Sequence, residues 1–147
     1  MIVGLARWFH RGDSAFPAFQ ADALTFGLNI CTELWALETY GAYVGQAVQV
    51  ILSPRETASA TAAKWLSVGV VAAVRAGAFS LSSNRVDPSG ACGGVGWIVS
   101  PQGQVLATTS AESPFATIDI DLAASAAARV GYPCSVFNGE APGPDPA

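Results

Sequence analysis

The chain has 147 residues and a net charge of −4, and its seven basic residues are scattered. This length suffices for one domain with a hydrophobic core, and the charge excludes a basic surface that could follow a nucleic-acid backbone. Hydrophobic residues make up 51% of the chain and charged residues only 12%, whereas soluble domains usually hold about a quarter charged residues. Such a low charge content predicts either unusually complete burial or an apolar surface that binds a partner.

The longest apolar stretch, residues 65–83, is interrupted by Arg75 and contains two glycines, so it predicts a buried helix and strand instead of a membrane span. The first residues lack the basic segment of a secretory signal. Three cysteines, Cys31, Cys92 and Cys134, lie far apart without a Cys-x-x-Cys motif, which argues against a metal site and against a disulfide framework. We therefore expect a protein of the reducing cytoplasm, without membrane attachment.

From residue 24 onward, predicted strands alternate along the chain with predicted helices. The strands are indicated by apolar residues at every second position, and the helices by apolar residues at helical spacing. Gly77 is expected to end the second helical segment as its C-cap. This order predicts an α/β fold with a largely parallel sheet. The predicted elements are a strand at 24–30, a helix at 33–46, a strand at 48–52, a helix at 60–76 and a strand at 78–85.

The second half of the chain predicts a different arrangement. A turn rich in Pro and Gly at 100–103 predicts a hairpin between strands at 94–99 and 104–108. A further strand is predicted at 115–120, and Asp121 is expected to cap an alanine-rich helix that ends near Gly131.

The two ends of the chain differ in composition from its middle. Residues 1–19 show no periodicity but carry four aromatic side chains, which indicates a segment that packs against further chain. The last nine residues hold three prolines and two glycines. We therefore predict one domain at 1–137 and a disordered tail at 138–147.

Cys31 follows the first predicted strand and begins the first predicted helix. A thiol at this position lies near the unpaired N–H groups of the helix start, whose field stabilises the thiolate, and ligands of open α/β sheets collect at the carboxyl ends of strands. The position suits a catalytic nucleophile, but a buried structural thiol is the usual role of a free cysteine. The residues alone leave both interpretations open. His10 offers a thiol–imidazole pair with Cys31, although a surface or loop histidine is much commoner.

Short motifs stand in a fixed order along the chain: Ile30-Cys31-Thr32-Glu33-Leu34-Trp35, Ile51-Leu52-Ser53-Pro54-Arg55-Glu56-Thr57, Ser83-Asn84-Arg85, the run from Gly93 through Trp97 to Gly103, and Ile118-Asp119-Ile120-Asp121-Leu122. This ordered set, spread over residues 8–133, resembles the carbon–nitrogen hydrolase (nitrilase) superfamily. The resemblance implies an α-β-β-α sandwich whose last core strand is 118–122. It also implies cleavage of a small-molecule amide, nitrile or carbamoyl group through a cysteine acyl-enzyme, with no cofactor and no metal.

By this resemblance, Cys31 is the nucleophile, and the backbone N–H of Thr32 helps to bind the oxyanion. We expect Glu33 to fix the turn at Cys31, and Cys92 and Cys134 to be inert. Full-length members of the family usually form homo-oligomers through flanking helices, and the helix after Cys31 is the candidate interface. Weaker expectations of a pocket or supporting role fall on Glu33, Trp35, Arg55, Glu56 and Asn84.

The chain departs from the family pattern before Cys31. The general-base glutamate and the lysine of the family both precede the cysteine, and a second glutamate would fall near Leu5. The basic and acidic residues found there instead are Arg7, His10, Arg11, Asp13 and Asp22. The chain thus resembles the C-terminal half of such a domain, which leaves two hypotheses. It is a hydrolase that is nearly inactive without its first half, or a non-catalytic remnant or half-domain that acts only by association with another chain.

Overall fold

The computed structural model describes residues 16–137. The predictions that concern residues 1–15 and 138–147, among them the role of His10 and the disordered tail, lie outside the described residues. Within the described range, no helix is long and apolar enough to cross a membrane.

A six-stranded sheet, with its strands in sequence order, forms the centre of this part of the chain. β2, β3 and β4 run parallel, while β1, β5 and β6 add antiparallel strands at the two edges. The parallel centre requires a crossover connection between successive strands, and this agrees with the predicted α/β fold. The strands are β1 (Phe19–Ala21), β2 (Leu24–Leu28), β3 (Val50–Arg55), β4 (Phe79–Asn84), β5 (Trp97–Val99) and β6 (Val105–Thr108).

The helices are α1 (Thr39–Gly45), α2 (Ala62–Ala76), α3 (Ala123–Val130) and α4 (Cys134–Phe137), with 3₁₀ turns at Cys31–Trp35 and Ser59–Thr61. We call Cys31–Trp35 the Cys31 turn. α1, α2 and the Cys31 turn cover one face of the sheet, where Leu34, Tyr40, Tyr43, Ile51 and Trp97 form a buried cluster with the alanine-rich side of α2. Burial of this apolar area is the main favourable contribution to folding.

Several local predictions are confirmed. α2 ends at Gly77, whose φ of 56° lies in the left-handed region that favours glycine. The hairpin of β5 and β6 is present around the turn at 100–103. The N-cap residue of α3 is Leu122, one position later than predicted, while the Asp121 carboxylate accepts a hydrogen bond from the Ala123 N–H (2.9 Å).

The continuous helix at 33–46 is a wrong prediction, because the chain breaks between the Cys31 turn and α1. The Thr39 side chain and its N–H both donate to the Ala36 carbonyl (2.8 and 3.0 Å). They thereby satisfy the polar groups at the break. The break lets Leu34 and Tyr40 both reach the core, where each is fully buried.

The strand at 115–120 is also a wrong prediction. Side chains alternate there between exposed and half-buried, as the sequence pattern indicates, but among residues 16–137 this segment joins no strand ladder. Alternation of apolar and polar residues indicates which side of an extended segment faces the protein. It does not show that a neighbouring strand is present to form hydrogen bonds with that segment.

The face of the sheet opposite α1 and α2 carries a row of apolar residues in register. Leu28 pairs with Leu52, Leu52 with Leu81, and Leu81 with Ile98, so all four point the same way. Each of the four is only half-buried. They line a cavity with a volume of about 520 Å³, and none of the residues that line it is charged.

The packing of α2 on the sheet generates a stability prediction. A Cβ added at Gly69 would lie 2.6 Å from the Trp97 ring, whereas a Cβ added at Gly41 of α1 would meet nothing within 4 Å. We expect Gly69→Ala to lower the free energy of unfolding by about 1–3 kcal/mol through overpacking. Gly41→Ala should raise it by up to about 1 kcal/mol through helix propensity. Urea denaturation measures both, and equal effects would contradict the described contact.

Candidate active site

Cys31 adopts a backbone conformation that non-glycine residues rarely occupy. Its φ is 50°, and the left-handed region costs an L-residue roughly 1–2 kcal/mol. Ile30, just before it, is extended, so the chain turns sharply between the end of β2 and the Cys31 turn. The Cys31 side chain is half-buried. Strain of this kind persists only where surrounding contacts fix it.

Side chains on both sides of Cys31 supply those contacts. The Glu33 carboxylate accepts a hydrogen bond from the Ile30 N–H (2.7 Å). Asn29 is fully buried, and its Nδ2 donates to the Glu33 carbonyl (3.1 Å) and to the Thr39 hydroxyl (3.4 Å). Because the Asn29 N–H also donates to the Leu52 carbonyl (3.0 Å), the Cys31 turn is tied to β3 as well as to α1.

Two tyrosines of α1 hold the same turn from the core side. The Tyr43 hydroxyl donates to the Leu28 carbonyl at the end of β2 (2.9 Å), and the Tyr40 hydroxyl donates to the Leu34 carbonyl. Burial raises the pKa of Tyr43 to about 12 and also raises the pKa of Tyr40. Both hydroxyls are therefore protonated at neutral pH and remain donors.

Arg55, at the end of β3, is only 6% exposed. Its guanidinium donates to the Ser82 hydroxyl (2.7 Å), the Thr57 hydroxyl (2.7 Å) and the Val95 carbonyl (2.6 Å). It also lies over the Trp97 ring, 4.2 Å from its centroid. Burial lowers the pKa of Arg55 to about 10, and the charge that Cys31 can carry acts in the opposite direction. Arg55 is thus a cation at neutral pH.

Aromatic rings connect Arg55 with the Cys31 turn. Trp65 of α2 lies 5.6 Å from the Arg55 guanidinium and makes an edge contact with Trp35, with 5.8 Å between ring centroids. The Lys64 ammonium is 5.5 Å from the centroid of the Trp35 ring. Trp35, the last residue of the Cys31 turn, therefore contacts both the Lys64 cation and the Trp65 ring that lies near Arg55.

Asn84 and Glu56 have different surroundings, although both were expected to support a pocket. Asn84 binds the backbone of Thr57 on both sides, because its Oδ1 accepts from the Thr57 N–H (2.9 Å) and its Nδ2 donates to the Thr57 carbonyl (3.0 Å). Thr57 in turn contacts Arg55. Glu56 instead points to solvent, where it pairs with the exposed Arg85.

Sequence reasoning missed Asn29, Tyr40, Tyr43, Thr57 and Trp97 as parts of this arrangement. One signal was available for Asn29, since it is a polar residue within an apolar strand pattern. The arrangement offers a thiol on a strained turn, a backbone amide from Thr32 beside it, and a buried cation. Within residues 16–137, no group of three or more His, Cys, Asp or Glu residues could hold a metal ion.

The strain at Cys31 generates a prediction. Glycine adopts a positive φ without the cost of a Cβ, so we expect Cys31→Gly to be more stable than Cys31→Ala by about 1 kcal/mol. Cys92 is the matched control because its φ is not positive. There the glycine variant should be the less stable one, by up to about 1 kcal/mol. Urea denaturation of the four variants checks this, and the same order at both cysteines would contradict a strained Cys31.

Comparison with solved structures shows the fold that the chain shares. A carbon–nitrogen hydrolase from Helicobacter pylori G27 matches with a TM-score of 0.73 at 20% identity, covering 86% of this chain and 50% of that one. A CN-hydrolase superfamily protein from Xanthomonas campestris matches with a TM-score of 0.74 at 16% identity, covering 90% and 54%. This chain spans about half the length of these two proteins.

An amidase from Nesterenkonia sp. AN1 is similar over a smaller part. It matches with a TM-score of 0.60 at 23% identity, covering 69% of this chain and 40% of that one, in a glutamate-to-leucine variant that shows covalent addition of the acetamide moiety of fluoroacetamide at the active-site cysteine. A cysteine-to-alanine variant of that amidase was solved in complex with butyramide.

Sequence comparison addresses the family directly. A search of curated proteins gave no match. The family model for carbon-nitrogen hydrolase matches residues 5–130, which include the Cys31 turn, Arg55 and all six strands. Because this match covers most of the chain, and because the fold agrees with that of the solved hydrolases, the chain belongs to the carbon–nitrogen hydrolase family.

Proposed function

We propose that this chain carries the nucleophile of an enzyme that hydrolyses a non-peptide carbon–nitrogen bond in a small molecule, namely an amide, a nitrile or a carbamoyl group. The observation that carries the proposal is Cys31 at a φ of 50° directly after a parallel strand, in a chain of this family. A strained residue held by several hydrogen bonds is typical of a functional position.

The chemistry follows from a thiol at this turn. The Cys31 sulfur attacks the carbonyl carbon of an amide and forms an S–C bond, the C–N bond breaks, and the amine leaves with a proton. Water then hydrolyses the acyl-enzyme and frees the thiol. The first hydrogen bond within the turn runs from the Glu33 N–H to the Ile30 carbonyl (3.1 Å). The Thr32 N–H therefore lies ahead of it, among the donors of a helix start, and is the proposed oxyanion donor.

We further propose that residues 1–137 correspond to the C-terminal half of a sandwich domain, and that a first half supplies the glutamate base and the lysine. The open sheet face supports this. Leu28, Leu52, Leu81 and Ile98 form an uncharged row along a concavity of about 520 Å³, and Phe115 beside it is 88% exposed. A second sheet would bury these residues.

The same face favours a second candidate function, in which the chain is a non-catalytic half-domain that associates with another chain. Exposed apolar surface of this kind binds a partner whether or not the thiol reacts. The two candidate functions differ in whether Cys31 acts as a nucleophile, so the reactivity of Cys31 distinguishes them.

A labelling prediction tests the nucleophile. We expect fluoroacetamide, which modifies the cysteine of the Nesterenkonia amidase variant, to label Cys31 of the purified full chain at least about tenfold faster than Cys92. Asp87 accepts a hydrogen bond from the Cys92 N–H (2.8 Å), and burial raises the pKa of Cys92, with Asp87 adding to the effect. Peptide mass spectrometry locates the label. Equal labelling of Cys31 and Cys92 would favour the half-domain function.

A turnover prediction tests the whole proposal. When the chain is expressed together with a first half that supplies the glutamate and the lysine, we expect release of ammonia from a short aliphatic amide such as butyramide. Cys31→Ala should reduce this rate at least about a thousandfold, because it removes the nucleophile, while Cys92→Ala should leave it unchanged. Hydrolysis that survives Cys31→Ala would exclude the proposed mechanism.

A further inference from the structure

We propose that Arg55 is a positioning residue for Cys31: its buried guanidinium, which pairs with no carboxylate among residues 16–137, provides positive charge to the sulfur and, through Trp65 and Trp35, holds the Cys31 turn in place. This inference rests on the proposed function, because it assigns Arg55 a role toward the nucleophile.

The first step concerns charge compensation. All three hydrogen-bond partners of Arg55 are neutral oxygens, on Ser82, Thr57 and Val95. Among residues 16–137, Arg55 forms no ion pair with a carboxylate; the ion pair found there joins Arg85 to Glu56 at the surface. A buried charge without a counter-charge exerts its field on its surroundings with little screening.

The second step concerns why the charge persists. Burial of an unpaired cation is unfavourable, but Arg55 makes three hydrogen bonds and lies over two indole rings, 4.2 Å from the Trp97 centroid and 5.6 Å from that of Trp65. Ring faces attract cations. Arg55 therefore stays charged at neutral pH, with a pKa of about 10, and a negative charge on the Cys31 sulfur would favour its cationic form.

The third step is mechanical. Trp65 contacts both Arg55 and Trp35, and Trp35 ends the Cys31 turn. Arg55 also joins β3 to β4 through Ser82 and reaches the segment before β5 through Val95. A change at Arg55 therefore reaches the turn through packed rings as well as through the electric field.

The test compares the alkylation of Cys31 by neutral iodoacetamide and by anionic iodoacetate in the full chain, with Cys92 as a reference within the same molecule. Arg55→Met keeps much of the side-chain volume but removes the charge. Arg55→Lys keeps the charge but loses the planar guanidinium that donates the three hydrogen bonds. We expect Arg55→Met to slow alkylation of Cys31 about tenfold, and to lower its iodoacetate-to-iodoacetamide rate ratio. Arg55→Lys should restore most of both, even where its melting temperature falls as much as that of Arg55→Met.

Arg85→Met is the matched control. Arg85 is exposed and its charge acts on Cys92, so this variant should change labelling at Cys92 and leave Cys31 unchanged. The proposal is overturned if Arg55→Met leaves the rate and the reagent ratio at Cys31 unaltered, or if Arg55→Lys is as slow as Arg55→Met, which would indicate a purely structural role.

A measurement on the unsubstituted chain covers the case in which Arg55→Met does not fold. The iodoacetate-to-iodoacetamide ratio at Cys31 should be higher in the folded chain than in urea, and equal ratios would overturn the proposal. None of these rates requires turnover. If butyramide is not hydrolysed but the iodoacetate-to-iodoacetamide ratio at Cys31 is as expected, the result would therefore count against the proposed function alone.

Discussion

The left-handed backbone conformation of Cys31 is the constraint on which the site depends. It costs roughly 1–2 kcal/mol, and it is maintained by hydrogen bonds from the residues on both sides of it. Glu33 binds the Ile30 amide, Asn29 binds the Glu33 carbonyl, and Tyr43 binds the Leu28 carbonyl. Each of these bonds contributes about 1 kcal/mol net, so together they outweigh the strain. The thiol is therefore presented by a fixed turn instead of a flexible loop.

A second group of contacts surrounds Arg55 and connects the ends of three strands. Ser82 belongs to β4, Val95 precedes β5, and Trp97 lies in β5. Buried arginine is unusual because the loss of hydration is unfavourable, and here the compensation comes from neutral acceptors and indole rings. The carboxyl ends of parallel strands meet at this edge of the sheet. Consequently the strand ends that carry Cys31 and Arg55 are held in one packed unit.

The two faces of the sheet explain the low charge content of the chain. One face is covered by α1, α2 and the Cys31 turn, and its residues are almost fully buried. The other face carries Leu28, Leu52, Leu81 and Ile98 at intermediate burial, with no charged side chain in the concavity that they line. A sheet with apolar residues on both faces is typical of strands that are covered on both sides, which is the reason for proposing that a further part of the domain covers this face.

Sequence alone determined the features that depend on local periodicity and on single special residues. The alternation in β2, the helix α2 with its C-cap at Gly77, and the β5–β6 hairpin were all predicted, because neighbouring residues decide them. The family assignment likewise came from ordered short motifs. Tertiary structure alone decided where the helix after Cys31 breaks and why 115–120 is not a strand, since both depend on partners distant in sequence. It also placed Trp97 and Trp65 against Arg55, and Asn29 beneath the Cys31 turn. Pattern analysis could not find these contacts, because packing across the sheet, and not residue spacing, brings them together.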